Sequence, residues 1–212
     1  MYQDVLFALI AEKGINNGQP SLHARNVAAL AINRGESILH IGAGSGYYTA
    51  ILAEITGAKG SVVAFEFEPS LAKRADQNLQ NWPQTSVVQG SVFDHKLPVT
   101  DIIYANAGMP QIETTWVQQL KDGGRLLFPL TCSNGAGVML KVVKKGEDYT
   151  ASAISRCGFI GCIGTANEQA SDKLATLFRS AKADKIARLF LTEPKHTESI
   201  LLSGDGWYLC SE

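Results

Sequence analysis

Five short apolar runs recur along the first 130 or so residues: Ile38 to Ile41, Ser61 to Glu66, Ser86 to Gln89, Asp101 to Ala105 and Arg125 to Phe128. Runs of this length, bounded by turn formers, read as strands, and the stretches between them carry helical spacing. Ser21 is placed to cap a helix with Ala24, Val27, Ala28 and Ala31 on one face, stopped at Arg34-Gly35. A second helix starts near Ser45 and runs toward Thr56 and Gly57. A third opens at Pro69-Ser70 with Leu71, Ala72, Ala75 and Leu79 aligned and closes before Pro83, and a fourth spans about Ile112 to Leu120, ahead of a turn at Asp122-Gly-Gly124. Before all of these, Asp4 can cap a short apolar helix ending at Gly14. Strands alternating with helices at this spacing predict a doubly wound, mostly parallel sheet, because each return must cross over through a helix.

The pattern changes after Pro129. Gly137 to Val143 and Tyr149 to Ser155 flank Lys144 to Asp148 as an antiparallel hairpin would. A helix from Asn167 to about Ser180, a strand over Ile186 to Leu191 and a turn at Gly204-Asp-Gly206 before Trp207 to Cys210 complete the chain. The expected fold class is therefore α/β: a Rossmann-like sheet with helices on both faces and an antiparallel C-terminal part. No repeat, low-complexity tract or linker interrupts it, so residues 1–212 are expected to form a single domain. In that reading residues 1–35 supply helices flanking the site, and 167–212 form an extension of unclear role.

Composition narrows the function classes. A formal net charge of −1, with no basic run, gives no reason to expect nucleic acid or an acidic membrane as partner. The four cysteines show no Cys-x-x-Cys pair and no zinc-type histidine spacing, so no metal site is expected and a reducing cytoplasm is the default location. The apolar run Val5 to Ala11 is too short for a membrane span, lacks a basic flank and lacks a cleavage site.

The chemistry is concentrated where the first run meets Gly42-Ala-Gly-Ser-Gly46. A strand, a glycine turn and a helix start let backbone approach a ligand closely, and the unpaired amides there favour a polar or anionic group. Glycines alone are weak evidence of a site. Glu66 strengthens the case: it lies 20 residues beyond Gly46, at the tip of the next run, where a carboxylate accepts hydrogen bonds from ribose hydroxyls. A nicotinamide dehydrogenase and an S-adenosylmethionine methyltransferase both satisfy this pattern. The spacing Gly-x-Gly-x-Gly, in place of Gly-x-Gly-x-x-Gly, and the absence of any Tyr-x-x-x-Lys favour methyl transfer.

Over roughly Gln19 to Leu130 the chain resembles the protein-L-isoaspartate O-methyltransferase family. The likeness is carried by Ile38-Leu-His-Ile-Gly-Ala-Gly-Ser-Gly-Tyr47, by Phe65-Glu-Phe67 with Glu68-Pro69, by Asp101 to Pro110, by Gln119 to Pro129, and by Gln19 to Ala24. It implies S-adenosylmethionine as cofactor, with Gly42, Ala43, Gly44, Ser45, Gly46 and Tyr47 near its methionine part, Glu66 on the ribose, and Phe67, Ser91 and Val92 against the adenine. It places His23 near the cofactor, as the one nominee for a catalytic group, and Gly18 and Ser21 beside the methyl acceptor. Asn106, just past the fourth run at the carboxyl edge of the sheet, could meet either ligand, with turn capping as its competing explanation. His23 has a competing explanation as a structural helix-start histidine, and His95 and His196 sit in polar, solvated stretches.

Four departures from the family pattern stand out: His40 at a usually acidic position, Ser91 at a usual aspartate with Asp94 close by, Gly18 where the family carries a hydroxyl residue, and a shorter N-terminal region. The expected activity is carboxyl O-methylation of a damaged protein by a cytoplasmic enzyme. Alternatives are another protein or small-molecule acceptor with the same cofactor, and a non-catalytic adenosyl-binding scaffold; a dehydrogenase is a distant rival. A carboxylate acceptor is already ionised and needs no base, whereas an amine or hydroxyl would need one within reach.

Overall fold

A computed structural model describes residues 3–180, 182–195 and 199–212. Residues fall into two compact units, Met1–Asn106 and Ala107–Glu212, with the division at a point where the sequence pattern suggested no boundary.

The first unit is built on four parallel strands, β3 (Ser37–Ile41), β4 (Ser61–Glu66), β5 (Thr85–Gln89) and β6 (Thr100–Ala105), in the order β6-β3-β4-β5. Register pairs Ile38 with Val62 and with Ile102, so the apolar runs seen in the sequence lie side by side. Strands buried on both faces need continuous apolar character, and Ile38, Leu39, Val62, Ala64, Ile102 and Ile103 are all almost wholly buried. Three helices serve as crossovers or flanks: α1 (Pro20–Leu30), α2 (Tyr47–Thr56) and α3 (Pro69–Asn78). The chain winds outward from β3 to β5 and returns to the other side of β3 with β6. The strand order therefore reverses between β3 and β6, and such a switch point opens a crevice at the carboxyl ends of the strands.

The second unit is antiparallel. After the short α4 (Thr114–Gln118), strands β7 (Leu120–Thr131), β8 (Ala136–Lys145) and β9 (Asp148–Gly158) form a meander. α5 (Glu168–Arg179) and β10 (Arg188–Phe190), β11 (Ile200–Gly204) and β12 (Trp207–Cys210) follow, in the order β7-β8-β9-β10-β12-β11. The expected hairpin and the Asn167-capped helix are present; Asn167 Oδ1 accepts the Ala170 N–H at 2.9 Å. No helix among the described residues is long and apolar enough to cross a membrane.

Several boundaries differ from the sequence reading, each for a physical reason. No helix spans residues 4–14. Instead β1 (Ala8–Ile10), a single 3-10 turn (Ala11–Lys13) and β2 (Ile15–Asn16) form a small antiparallel pair. Seven apolar residues are too few to sustain an isolated helix, and Asp4 is committed elsewhere: its carboxylate accepts the Ser21 N–H at 2.8 Å and the Gln19 amide at 2.7 Å. Ser21 is accordingly not the cap of α1. Gln19 holds that position, Pro20 opens the first turn, and the helix ends at Leu30, with Ala31 as its left-handed cap, rather than at Arg34. Its buried face is Leu22, His23, Asn26 and Leu30, not the alanine face the spacing suggested. Leu120 to Gly124 belong to β7 and not to a helix end and turn, and the short apolar run Ile200-Leu-Leu202 forms β11, a strand the sequence reading left out.

Gly46 belongs to the packing of the first unit. It sits at φ 85°, and a Cβ there would come within 3.2 Å of Ala75 in α3. Gly46→Ala is expected to destabilise the fold by about 2 kcal/mol or more, the sum of left-handed strain and overpacking, read as a lowered midpoint in urea unfolding.

Candidate active site

At the carboxyl edge of the first unit the turn after β3 carries Gly42, Gly44 and Gly46, all with positive φ. The Gly42 and Ala43 N–H groups both donate to the Phe65 carbonyl, at 2.9 and 3.1 Å, which bends the chain back over β4. The Gly44 N–H then points at Glu66 and donates to its Oε2 at 2.6 Å. The other oxygen, Oε1, accepts the Glu68 N–H at 2.9 Å. Glu66 is 7% exposed. Burial raises its pKa above the usual carboxylate value, and the Glu68 and Gly44 amides oppose that rise. The amides of Gly44, Phe67 and Glu68 do not exhaust the lone pairs of the two oxygens, which leaves room for a further donor such as a hydroxyl.

The wall around this turn was only partly foreseeable. Glu68 pairs with Lys13, whose Nζ lies 2.6 Å from Oε2, and so pins the N-terminal strand pair to the start of α3. Leu9 in that pair stands 3.1 Å from where a Gly44 Cβ would be, a tight contact at a position whose φ of 57° already disfavours a side chain. Ser91 follows β5 beside Glu66, whose carbonyl accepts the Gly90 N–H at 2.9 Å. Its Oγ caps a 3-10 turn by accepting from Phe93, and Val92 is buried beneath. Phe67 and Tyr47 are exposed at 45% and 53%, available to cover a ligand rather than part of the core. Tyr48 is the inward member of its pair. Ser45 is half-buried and its carbonyl accepts the Asn78 amide at 2.9 Å. Asp94 and His95 are exposed, and His196 lies outside the described residues.

Beneath the turn is a buried polar cluster. His40 is fully buried; its Nδ1 lies 2.8 Å from Thr49 Oγ1 and its Nε2 2.7 Å from Asn106 Nδ2. His23 Nδ1 lies 2.7 Å from the Tyr104 hydroxyl, which also accepts from Asn26 at 3.3 Å. Both histidines touch aromatic rings: His23 stacks on Tyr48 at 3.7 Å and His40 on Tyr104 at 5.6 Å. Burial lowers the pKa of His23 to about 4 and of His40 to about 3, so both are neutral at pH 7. Asn26 is three residues from His23 on one helix face, a signal readable in the sequence; Thr49 and Tyr104 carried none.

Gly18 has a clear structural reason. A Cβ there would overlap the Nε2 of His23, and its φ is 71°. A hydroxyl residue at position 18 is incompatible with His23 in this place. Ser21, in contrast, is exposed and held by Asp4, whose Oδ2 accepts its hydroxyl at 2.7 Å. Among the described residues no cluster of histidine, cysteine or carboxylate side chains is suited to hold a metal ion.

A parallel sheet with a switch point, a glycine turn and an acidic strand tip defines a doubly wound nucleoside-binding protein of the methyltransferase fold. The chain belongs to the protein-L-isoaspartate(D-aspartate) O-methyltransferase (PCMT) family, whose sequence profile matches residues 1–167. This is a family of S-adenosylmethionine-dependent methyltransferases. The chain is 30% identical over 166 residues to the protein-L-isoaspartate O-methyltransferase of Ignicoccus hospitalis, covering 76% of this chain and 78% of that protein. With the Methanococcus aeolicus protein of the same name it shares 32% over 140 residues, 64% of each chain. A Plasmodium falciparum beta-aspartate methyltransferase, solved with S-adenosyl-L-homocysteine, superposes with a TM-score of 0.67 at 18% identity, covering 76% of this chain and 80% of that one. This last likeness is one of fold.

The histidines give the fold a pH dependence with a definite sign. Their folded pKa values lie below the unfolded value near 6.5, so the unfolded chain binds more protons between about pH 4 and 6.5. Stability is fully present above pH 6.5 and falls as pH drops through this window, by up to about 1.4 kcal/mol per pH unit for each histidine. His23→Gln is expected to flatten the slope of ΔG between pH 6.5 and 4.5, measured by urea unfolding at several pH values.

Proposed function

We propose that this protein transfers the methyl group of S-adenosylmethionine to the carboxylate of an isoaspartyl residue in a protein or peptide. The single observation carrying this reading beyond family membership is the direct bond between the Gly44 amide and the Glu66 carboxylate. It brings the ligand-hugging turn and the ribose acceptor into one wall. The residues present suit the adenosyl group: a turn of three glycines at positive φ, a carboxylate with lone-pair capacity left, and a buried amide oxygen on Asn106 that has no partner.

In this reading Gly42, Ala43, Gly44 and Ser45 hold the amino-acid end, Glu66 the ribose, and Phe67, Ser91 and Val92 the adenine. The bound cofactor supplies an activated methyl carbon on a sulfonium. What the chain must do is align the acceptor and keep water out. A carboxylate acceptor needs no general base, which agrees with His23: a ring with a pKa of about 4 is a poor base at pH 7. His23 then acts as a neutral hydrogen-bonding wall facing Gly18. A cytoplasmic location accords with the four free cysteines.

Gly18 motivates one second reading, in which the same cofactor serves a different acceptor, because no hydroxyl stands at that position. An assay for base-labile methyl ester on an isoaspartyl peptide, against its aspartyl counterpart, separates the two. Ester on the isoaspartyl peptide alone is expected; tight cofactor binding with no ester on either would favour the second reading. Glu66→Ala is expected to weaken S-adenosyl-L-homocysteine by about 1 to 3 kcal/mol in calorimetry, and unchanged affinity would overturn the ribose assignment.

A further inference from the structure

Asn106 is the first residue beyond β6, and its N–H donates to the Ile41 carbonyl at 2.8 Å, so it is fixed at the switch point next to the glycine turn. Its backbone and Cβ lie 3.5 to 3.6 Å from where a side chain on Gly42 would begin. The side-chain amide is held from below. Nδ2 lies 2.7 Å from His40 Nε2 and donates to it, which leaves the ring proton on Nδ1 to be donated to Thr49 Oγ1 at 2.8 Å. The ring itself is stacked on Tyr104 and cannot turn freely. This arrangement leaves one atom over. Asn106 Oδ1 is buried and accepts no hydrogen bond from the chain. A buried acceptor without a donor is costly, and its position beside Gly42 assigns the missing donor to the amino-acid end of the ligand.

We propose that Asn106 Oδ1, oriented by His40, accepts a hydrogen bond from the α-ammonium of the adenosyl ligand. The inference rests on the adenosyl reading above and specifies how this chain recognises one end of that ligand. His40 is a positioning residue in this scheme: it touches Asn106 and not the ligand. Because the acceptor is neutral, recognition is a charge-assisted hydrogen bond and not an ion pair.

Calorimetry tests it with three probes: S-adenosyl-L-homocysteine, its analogue with hydrogen in place of the α-ammonium, and its analogue lacking the carboxylate. The unsubstituted protein is expected to prefer the parent over the ammonium-free analogue by about tenfold or more. In Asn106→Ala that preference should fall to near unity, while the ammonium-free analogue keeps its own affinity within about threefold. His40→Ala should reduce the same preference, since Asn106 loses its anchor. Should Asn106→Ala melt below the assay temperature, the near-isosteric Asn106→Leu serves in its place. A preference for the parent that survives loss of Asn106, or one that shifts to the carboxylate-free analogue, would overturn the assignment. An unaltered preference in folded His40→Ala would remove the positioning role. If the unsubstituted protein binds none of the three, the adenosyl reading itself fails, which is distinguishable from failure at Asn106 alone.

Discussion

The carboxylate of Glu66 is where the architecture of the first unit converges. One oxygen takes the amide of Gly44 from the turn after β3, and the other takes the amide of Glu68 from the entry to α3. A buried carboxylate is tolerable only when such donors offset its desolvation. The turn in return gains a fixed acceptor for an amide that would otherwise be unpaired near a helix start. Through Glu68 the same knot reaches Lys13, so even the N-terminal strand pair is tied to the acidic strand tip. Remove the carboxylate and the turn, the helix entry and the strand pair lose a common support.

The second constraint is the neutral polar layer under that turn. Two imidazoles, two tyrosines, two asparagines and a threonine lie among apolar side chains, and histidine persists there because desolvation keeps the rings uncharged. Each ring then offers one donor and one acceptor, which suits a bonded network better than a carboxylate would. The departures at positions 18 and 40 are linked to this layer. Gly18 leaves space that the His23 ring fills, and His40 orients Asn106. A neutral layer of this kind can align reactants but moves no proton readily at pH 7. Transfer to an acceptor already ionised has no such requirement.

Much of the first unit was legible in advance because its signals are local. Apolar runs of four to six residues mark β3 to β6, and Pro69 and Asn167 mark helix starts, each through the chemistry of one residue and its neighbours. The spacing of Gly46 and Glu66 brought turn and carboxylate to one edge because a crossover of that length returns the next strand alongside the first. Where signals were long-range the reading failed. Asp4 looked like the cap of its own helix and instead supports Ser21 and Gln19, 15 to 17 residues on. α1 buries Leu22, His23, Asn26 and Leu30, a face half polar in composition, so a hydrophobicity pattern pointed to the wrong side.

The parallel strands, the glycine turn, the acidic tip and the family followed from the sequence by itself, since each depends on residue types at fixed separations along one chain. Tertiary structure alone decided which histidine meets which partner, why position 18 carries no side chain, and that Gly46 packs against Ala75 of α3. These depend on distances between atoms up to 81 residues apart, as in the contact of His23 with Tyr104, and no periodicity encodes such a distance. Burial, which sets the protonation of both rings, exists only once the chain has closed around them.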